Sequence, residues 1–208
     1  MYLVNTRPDI SFAVNSLSQF MVDPRRVHWT AAKRILRYIR GTVEYGLVYE
    51  CRGSVELAGF TDVDWARCVE DRKSTSSCFS TGSGVVSWFN RKQKSVALSS
   101  AKVEYMAASM AACEGMWLRK SLSGLFECEL EATIFHCDNQ SGIMLSENPV
   151  FHDRSKHIDI RYHFLRDCVH RGTIQLEYIQ KDEQLADIFT KALCRHSFVK
   201  FRDKFGSY

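Results

Sequence analysis

Ile10, Ala13, Val14, Leu17 and Phe20 recur at three- to four-residue spacing, which predicts a helix over 9–21. Pro8 suits its first turn and Asp23-Pro24 breaks it. A second helix is predicted over 28–40. Trp29, Ala32, Leu36 and Ile39 form its apolar stripe, Lys33, Arg34, Arg37 and Arg40 its polar face, and Gly41 its stop. Two such helices have little core of their own, so they must pack on another body. From residue 43 the period shortens to that of a strand. Tyr45–Tyr49 and Val55–Thr61 are extended candidates, followed by Ser74–Thr81 and Val85–Phe89 around the hairpin signal Gly82-Ser83-Gly84. A long helix over Ser100–Leu122 comes next, then a strand Thr133–Cys137 and a short helix stopped at Asn148-Pro149. A helix over 156–170, a strand Thr173–Ile179 and a last helix over 183–193 complete the order. That alternation predicts an α/β protein with one five-stranded mixed sheet flanked by helices, preceded by a small helical appendage.

The 208 residues divide accordingly into an appendage at 1–50, a main domain at 51–195 and a tail at 196–208. No apolar run approaches the roughly 18–20 residues that span a bilayer, and no secretory leader is visible, so an intracellular, soluble chain without membrane partners is expected. None of the eight cysteines forms a CxxC pair, so free thiols, several of them buried, are expected rather than a structural zinc site. Charge is unevenly spread. Residues 1–50 carry seven Lys/Arg against four Asp/Glu, residues 191–208 five against one, and the stretch between is net acidic. Basic flanks suit a polyanion, and an acidic centre suits a divalent metal.

Four acids stand where a sheet would bring them together. Asp62 follows an apolar strand, Asp138 ends the fourth strand, Glu104 lies one turn into the long helix and Asp187 one turn into the last. Ala107, Ala108, Ala111, Ala112 and Gly115 give the long helix a small-residue face that lets it approach the sheet closely. Converging carboxylates repel one another and divalent cations relieve that repulsion, with hard oxygen donors suiting Mg²⁺. Paired Mg²⁺ ions roughly 3.5–4 Å apart hydrolyse phosphodiesters.

Eight stretches, in order, resemble the ribonuclease H region of copia-type retrotransposon Pol polyproteins. They are Gly59-Phe-Thr-Asp-Val-Asp-Trp-Ala66, Asp71-Arg-Lys-Ser-Thr-Ser76, Val96-Ala-Leu-Ser-Ser100, Glu104-Tyr-Met-Ala-Ala108, Cys137-Asp-Asn-Gln-Ser-Gly-Ile143, Asn148-Pro-Val-Phe-His152, Lys156-His-Ile-Asp-Ile-Arg-Tyr-His-Phe164 and Gln184-Leu-Ala-Asp-Ile-Phe-Thr-Lys191. Residues 2–49 resemble the C-terminal helices of the adjoining reverse transcriptase, in Thr6-Arg-Pro-Asp-Ile10 and Ala32-Lys-Arg-Ile-Leu-Arg-Tyr38. The resemblance implies a ribonuclease H-like fold. It also implies cleavage of the RNA strand of RNA–DNA hybrids with two Mg²⁺ or Mn²⁺ ions, held by Asp62, Glu104, Asp138 and Asp187. Asp64 is a lesser candidate. The partners implied are the hybrid and the rest of the Pol polyprotein, in a cytoplasmic retrotransposon particle or the nucleus. No Tyr-x-Asp-Asp polymerase signal is present.

Hybrid recognition needs phosphate and 2′-hydroxyl contacts, and the candidates are Asn139, Gln140, Ser99, Ser100, Arg91, Lys92 and Lys94. The chain departs from the pattern in three places and lacks one further feature. Lys102 stands where the family usually has Glu, which removes a capping box with Ser99. Arg67 and Ser77 replace usual glycines, a source of strain if either position needs a positive φ. No His lies between Ile179 and Asp187, where many cellular members carry a mobile one. These departures define an alternative, a catalytically silent hybrid-binding module from a decaying element.

Overall fold

In a computed structural model of the chain, residues 2–49, 56–64, 74–81, 84–92, 100–147 and 160–205 are described; the side chains of 64, 74–76, 78, 91–92, 100–102 and 160–163 are not. Five strands form one sheet: β1 (Ala58–Asp64), β2 (Ser74–Ser80), β3 (Val85–Lys92), β4 (Thr133–Cys137) and β5 (Ile174–Tyr178). Their spatial order is β3-β2-β1-β4-β5. β1–β2 and β2–β3 pair antiparallel, while β1–β4 and β4–β5 pair parallel. The sheet is therefore mixed, as expected for a ribonuclease H-like α/β fold. The helices are α1 (Ser11–Ser18), α2 (Arg26–Gly41), α3 (Ser100–Phe126), α4 (Gln140–Glu147), α5 (Ile160–His170), α6 (Asp187–Thr190) and α7 (Arg195–Lys204). The hairpin closes through Thr81 N–H donating to the Gly84 carbonyl.

Strand alternation divides the core into two layers. Phe79, Phe135, Ile174 and Leu176 face α3 and α5, where Ala108, Ala111, Ala112, Leu118 and Leu165 close over them. The opposite face carries Val85, Phe60 and Trp88 against Leu185, Ile188, Phe189, Phe201 and Phe205. The small-residue face of α3 is buried as expected, and Gly115 fixes the approach. A Cβ at that position would lie 2.7 Å from Phe135 Cζ, and one at Gly59 would lie 2.9 Å from Phe135 Cδ1. One fully buried phenylalanine is thus wedged between two glycines, on β1 and on α3.

Several expectations need correcting. Residues 45–49 form no strand; a single bridge at Leu47 is all that is extended. The last helix over 183–193 is instead a 3₁₀ turn (Lys181–Glu183), the four-residue α6 and a break before α7. The segment expected as a basic tail is largely α7. Phe201 and Phe205 are 2% and 0% exposed, so the apolar spacing 198, 201, 205 prevails over the charges between. The appendage finds its partner on this same face. Trp88 Nε1 donates to the Val4 carbonyl at 3.1 Å, Tyr49 donates to the Val85 carbonyl at 2.7 Å, and Tyr38 packs edge-on to Phe198. Yet the stripe read on α2 is largely uncovered: Trp29 and Leu36 are more than 60% exposed. The sequence boundary near Glu50–Ser54 lies outside the described residues, as do Arg67 and the usual capping residue Ser99. Ser77 sits within β2 and is not among the positive-φ residues, so the anticipated strain is absent there. Five cysteines have described side chains and all five are free, with Cys137 and Cys168 buried.

Candidate active site

β1 and β4 run parallel up to the pair Thr61–Cys137. The next residue on each strand path is an acid, Asp62 within β1 and Asp138 just past β4. They stand at the carboxyl ends of neighbouring parallel strands, where open α/β sheets form their crevices. Along β1 the pleat turns Thr61 and Val63 toward α3 and Phe60 and Asp62 toward α6. Glu104 enters from above on the second turn of α3, held down where Val63 packs against Val103, Met106 and Ala107. Asp187 opens α6. Asp62, Glu104 and Asp187 are 1%, 8% and 8% exposed.

Gln184 ties these elements together. It is fully buried; its Nε2 donates to the Thr61 carbonyl at 2.9 Å and reaches the His136 carbonyl at 3.5 Å, while its Oε1 accepts from Ala186 N–H. One amide thus spans β1 and β4 just before their acids and sets the start of α6. Lys191, immediately after α6, donates from Nζ to Asp187 Oδ1 at 2.6 Å and to Asp62 Oδ1 at 3.3 Å. Thr190 Oγ1 donates to Asp62 Oδ2 at 2.6 Å. Sequence reasoning assigned no role to Gln184, Thr190 or Lys191. The one local signal was the i,i+4 spacing of Asp187 and Lys191.

The electrostatics follow from crowding in a dry place. Burial, then the nearby Asp62 and Asp138, push the Glu104 carboxyl up to about 9. Burial and Asp62 raise Asp187 to about 6 against the pull of Lys191. Asp138 is raised by burial and Asp62, opposed by Lys191 and Lys181. Burial lowers the Lys191 ammonium, but Asp62 and Asp187 more than offset it and raise it overall. All four sequence-predicted acids therefore feel one another. Ligand atoms of Glu104, Cys137 and Asp138 lie within 4.8 Å of one another. Glu104 Oε2 is buried with no hydrogen-bond partner among the described residues. An orphaned carboxylate oxygen among oxygen donors fits a hard divalent cation. Burial and Glu104 push the Cys137 thiol up to about 12, so it lines the cluster as a neutral group.

The other candidates divide. Asn139 is an N-terminal cap: its Oδ1 accepts from Gly142 N–H at 3.2 Å at the start of α4. Gln140 is exposed at the first position of α4. Arg91 and Lys92 end β3, Ser100 and Lys102 open α3 and Asp64 ends β1, all without described side chains; Ser99 and Lys94 lie outside the described residues. Among the described residues no helix is long and apolar enough to cross a membrane.

No family model matches the chain. The Pol polyproteins of transposons RE2 and RE1 from Arabidopsis thaliana are 39% and 40% identical to it over 206 residues, 99% of this chain. The chain spans 14% of the length of each. The secreted RxLR effector protein 161 of Plasmopara viticola is 52% identical over 120 residues, 57% of this chain and 84% of that protein. The crystal structure of prototype foamy virus protease–reverse transcriptase aligns with 76% of this chain and 21% of its own at 9% identity and a TM-score of 0.43, too loose a likeness to build on. With about 40% identity across nearly all of its length, this chain belongs to the retrovirus-related Pol polyproteins of copia-type transposons.

Proposed function

We propose that the chain is the ribonuclease H part of such a polyprotein and cleaves the RNA strand of RNA–DNA hybrids, next to the reverse transcriptase from which its first residues derive. The observation that carries this reading is Glu104: a carboxylate 8% exposed, with one oxygen unpartnered among the described residues, within 4.8 Å of Asp138 and in the field of Asp62 and Asp187. Burying an acid in that state is costly unless a cation completes it. Asp62, Glu104, Asp138 and Asp187 would hold two Mg²⁺ or Mn²⁺ ions. When bound, such ions supply a water nucleophile and stabilise the leaving oxygen of a phosphodiester. The protein's own part is positioning. Gln184 fixes the spacing of the two strand ends, Gly115 brings α3 down, and Asn139 caps α4 beside Asp138. Arg91, Lys92 and Lys94 are proposed phosphate contacts and Gln140, Ser99 and Ser100 proposed groove contacts, which predicts affinity that falls steeply with salt.

The test is cleavage of a labelled hybrid by the purified chain with and without Mg²⁺, with DNA duplex as control. Metal-dependent cutting of the RNA strand alone is expected, and Asp138→Asn should reduce it by at least roughly 100-fold with the circular dichroism unchanged. An Asp138→Asn variant that cuts at the unsubstituted rate overturns the assignment. Hybrid binding without cutting selects the catalytically silent module instead.

A further inference from the structure

Lys191 divides the four acids into two unlike halves. Its Nζ lies 2.6 Å from Asp187 Oδ1 and 3.3 Å from both oxygens of Asp62, and Thr190 Oγ1 takes up Asp62 Oδ2 as well. Asp62 and Asp187 are thus bridged by one shared cation and hydrogen-bonded by the chain itself. Glu104 and Asp138 receive no such hydrogen bond from Lys191, and Glu104 Oε2 has no partner among the described residues. The lysine side chain is 29% exposed, against 2% for Asp62 and 11% for Asp187, so the cation has a way out to water and the carboxylates do not. An ammonium on a flexible four-carbon stem is a mobile point charge.

We infer that Lys191 is a resident counter-cation, which offsets one of the two negative charges of Asp62 and Asp187 and competes with a divalent cation for those two carboxylates. The inference rests on the metal-site reading above and adds a positioning residue to it. A carboxylate oxygen that accepts from Nζ has fewer lone pairs left for a metal ion, and the ammonium repels one, so Lys191 opposes metal binding at Asp62 and Asp187. Glu104 and Asp138 carry no such obstacle. Metal binding should therefore occur in two steps, with Lys191 setting the threshold of the second. The same residue relieves the repulsion between two acids that are close and buried.

The experiment measures Mn²⁺ binding directly, by electron paramagnetic resonance of free Mn²⁺, together with melting curves in EDTA and in Mn²⁺. Lys191→Gln keeps most of the stem and removes the charge. It should bind Mn²⁺ roughly tenfold more tightly and melt lower in EDTA, and Mn²⁺ should restore much of that loss. Lys191→Arg offers a planar fork that grips carboxylates more firmly, so it should bind Mn²⁺ several-fold more weakly. Opposite shifts at one position are not what a mere structural pin produces. Equal Mn²⁺ affinity in all three proteins overturns the inference and leaves the metal site standing. So does a Lys191→Gln variant that loses the same stability with and without Mn²⁺. No Mn²⁺ bound by any of them, with Asp138→Asn indistinguishable, overturns the metal-site reading and this inference with it. If Lys191→Gln fails to fold, Lys191→Arg decides alone: unchanged affinity refutes competition, weakened affinity supports it.

Discussion

Two carboxylates in this chain are buried to nearly the same degree, Asp9 at 7% and Glu104 at 8% exposure, and their surroundings are opposite. Asp9 accepts from Arg7 Nε at 2.9 Å and Nη2 at 2.7 Å and from the Tyr38 hydroxyl at 2.8 Å. Arg7 in turn donates to the Thr42 carbonyl and hydroxyl. Both oxygens are filled and the charge is paired in a bidentate fork. Glu104 has one oxygen without a partner among the described residues and three acids for neighbours. The first arrangement is complete as it stands and serves to pin the appendage. The second is incomplete, and incompleteness in a buried acid points to something the chain binds. Burial alone would not have separated them.

The largest effect expected from breaking this comparison is at Glu104. A carboxyl raised from an ordinary 4.5 to about 9 favours the protonated, folded state. Its contribution is full below about 4.5 and is lost as pH rises toward 9. Asp187, raised from 3.8 to about 6, adds a loss over the lower part of that range. In EDTA the melting temperature should therefore fall between pH 5 and 9. Glu104→Gln should flatten that slope, melt above the parent at pH 8 and gain less from added Mn²⁺. Parallel melting profiles for the two proteins would show that Glu104 is not the strained group.

Next in size is Asp9→Ala. It strands the buried Arg7 guanidinium and should cost about 3–5 kcal/mol in urea unfolding. Mn²⁺ affinity of the folded variant should not change. A loss of Mn²⁺ binding would mean that the two acid clusters are coupled through α7, where Tyr38 meets Phe198.

Gly115→Ala probes how Glu104 is brought to the sheet. Alanine favours the helix by about 1 kcal/mol, but its Cβ would fall 2.7 Å from the ring of fully buried Phe135. Overpacking of that kind costs about 1–3 kcal/mol, so a net loss of up to about 2 kcal/mol is expected by urea unfolding. A gain would show that Phe135 has room to move.

What could be read from the sequence was what local pattern controls. Strand alternation, the hairpin glycines and the alanine face of α3 give the sheet and its main helix, with ends displaced by a few residues. Those in turn place Asp62, Glu104 and Asp138 together. The C-terminal end was harder. Leu185, Ile188, Phe189 and Leu193 have helical spacing, yet the chain breaks after Thr190 and Lys191 turns back onto two carboxylates, a tertiary attraction no periodicity reports. The aromatic spacing of α7 was legible and was masked by its charges. The Tyr38–Asp9 hydrogen bond joins residues 29 apart in sequence, and the role of Gln184 depends on carbonyls 48 and 123 residues away. Such partners appear only once the sheet order is known.

The smallest effect returns to the idea of an unfilled polar group, at a neutral side chain. Ser77 stands in β2 where the family usually has glycine, and it is fully buried. Its Oγ has no hydrogen-bond partner among the described residues, as with Glu104 Oε2, but it is a neutral hydroxyl. An unmade hydrogen bond costs about 1–3 kcal/mol of desolvation, and removing the hydroxyl while keeping the Cβ relieves it. Ser77→Ala should therefore stabilise the chain by about 1 kcal/mol in urea unfolding, equally with and without Mn²⁺, and leave hybrid cleavage unchanged. A Ser77→Ala variant that unfolds more easily would mean that the hydroxyl has a partner, and would remove Ser77 as the neutral control against which the orphaned oxygen of Glu104 is judged.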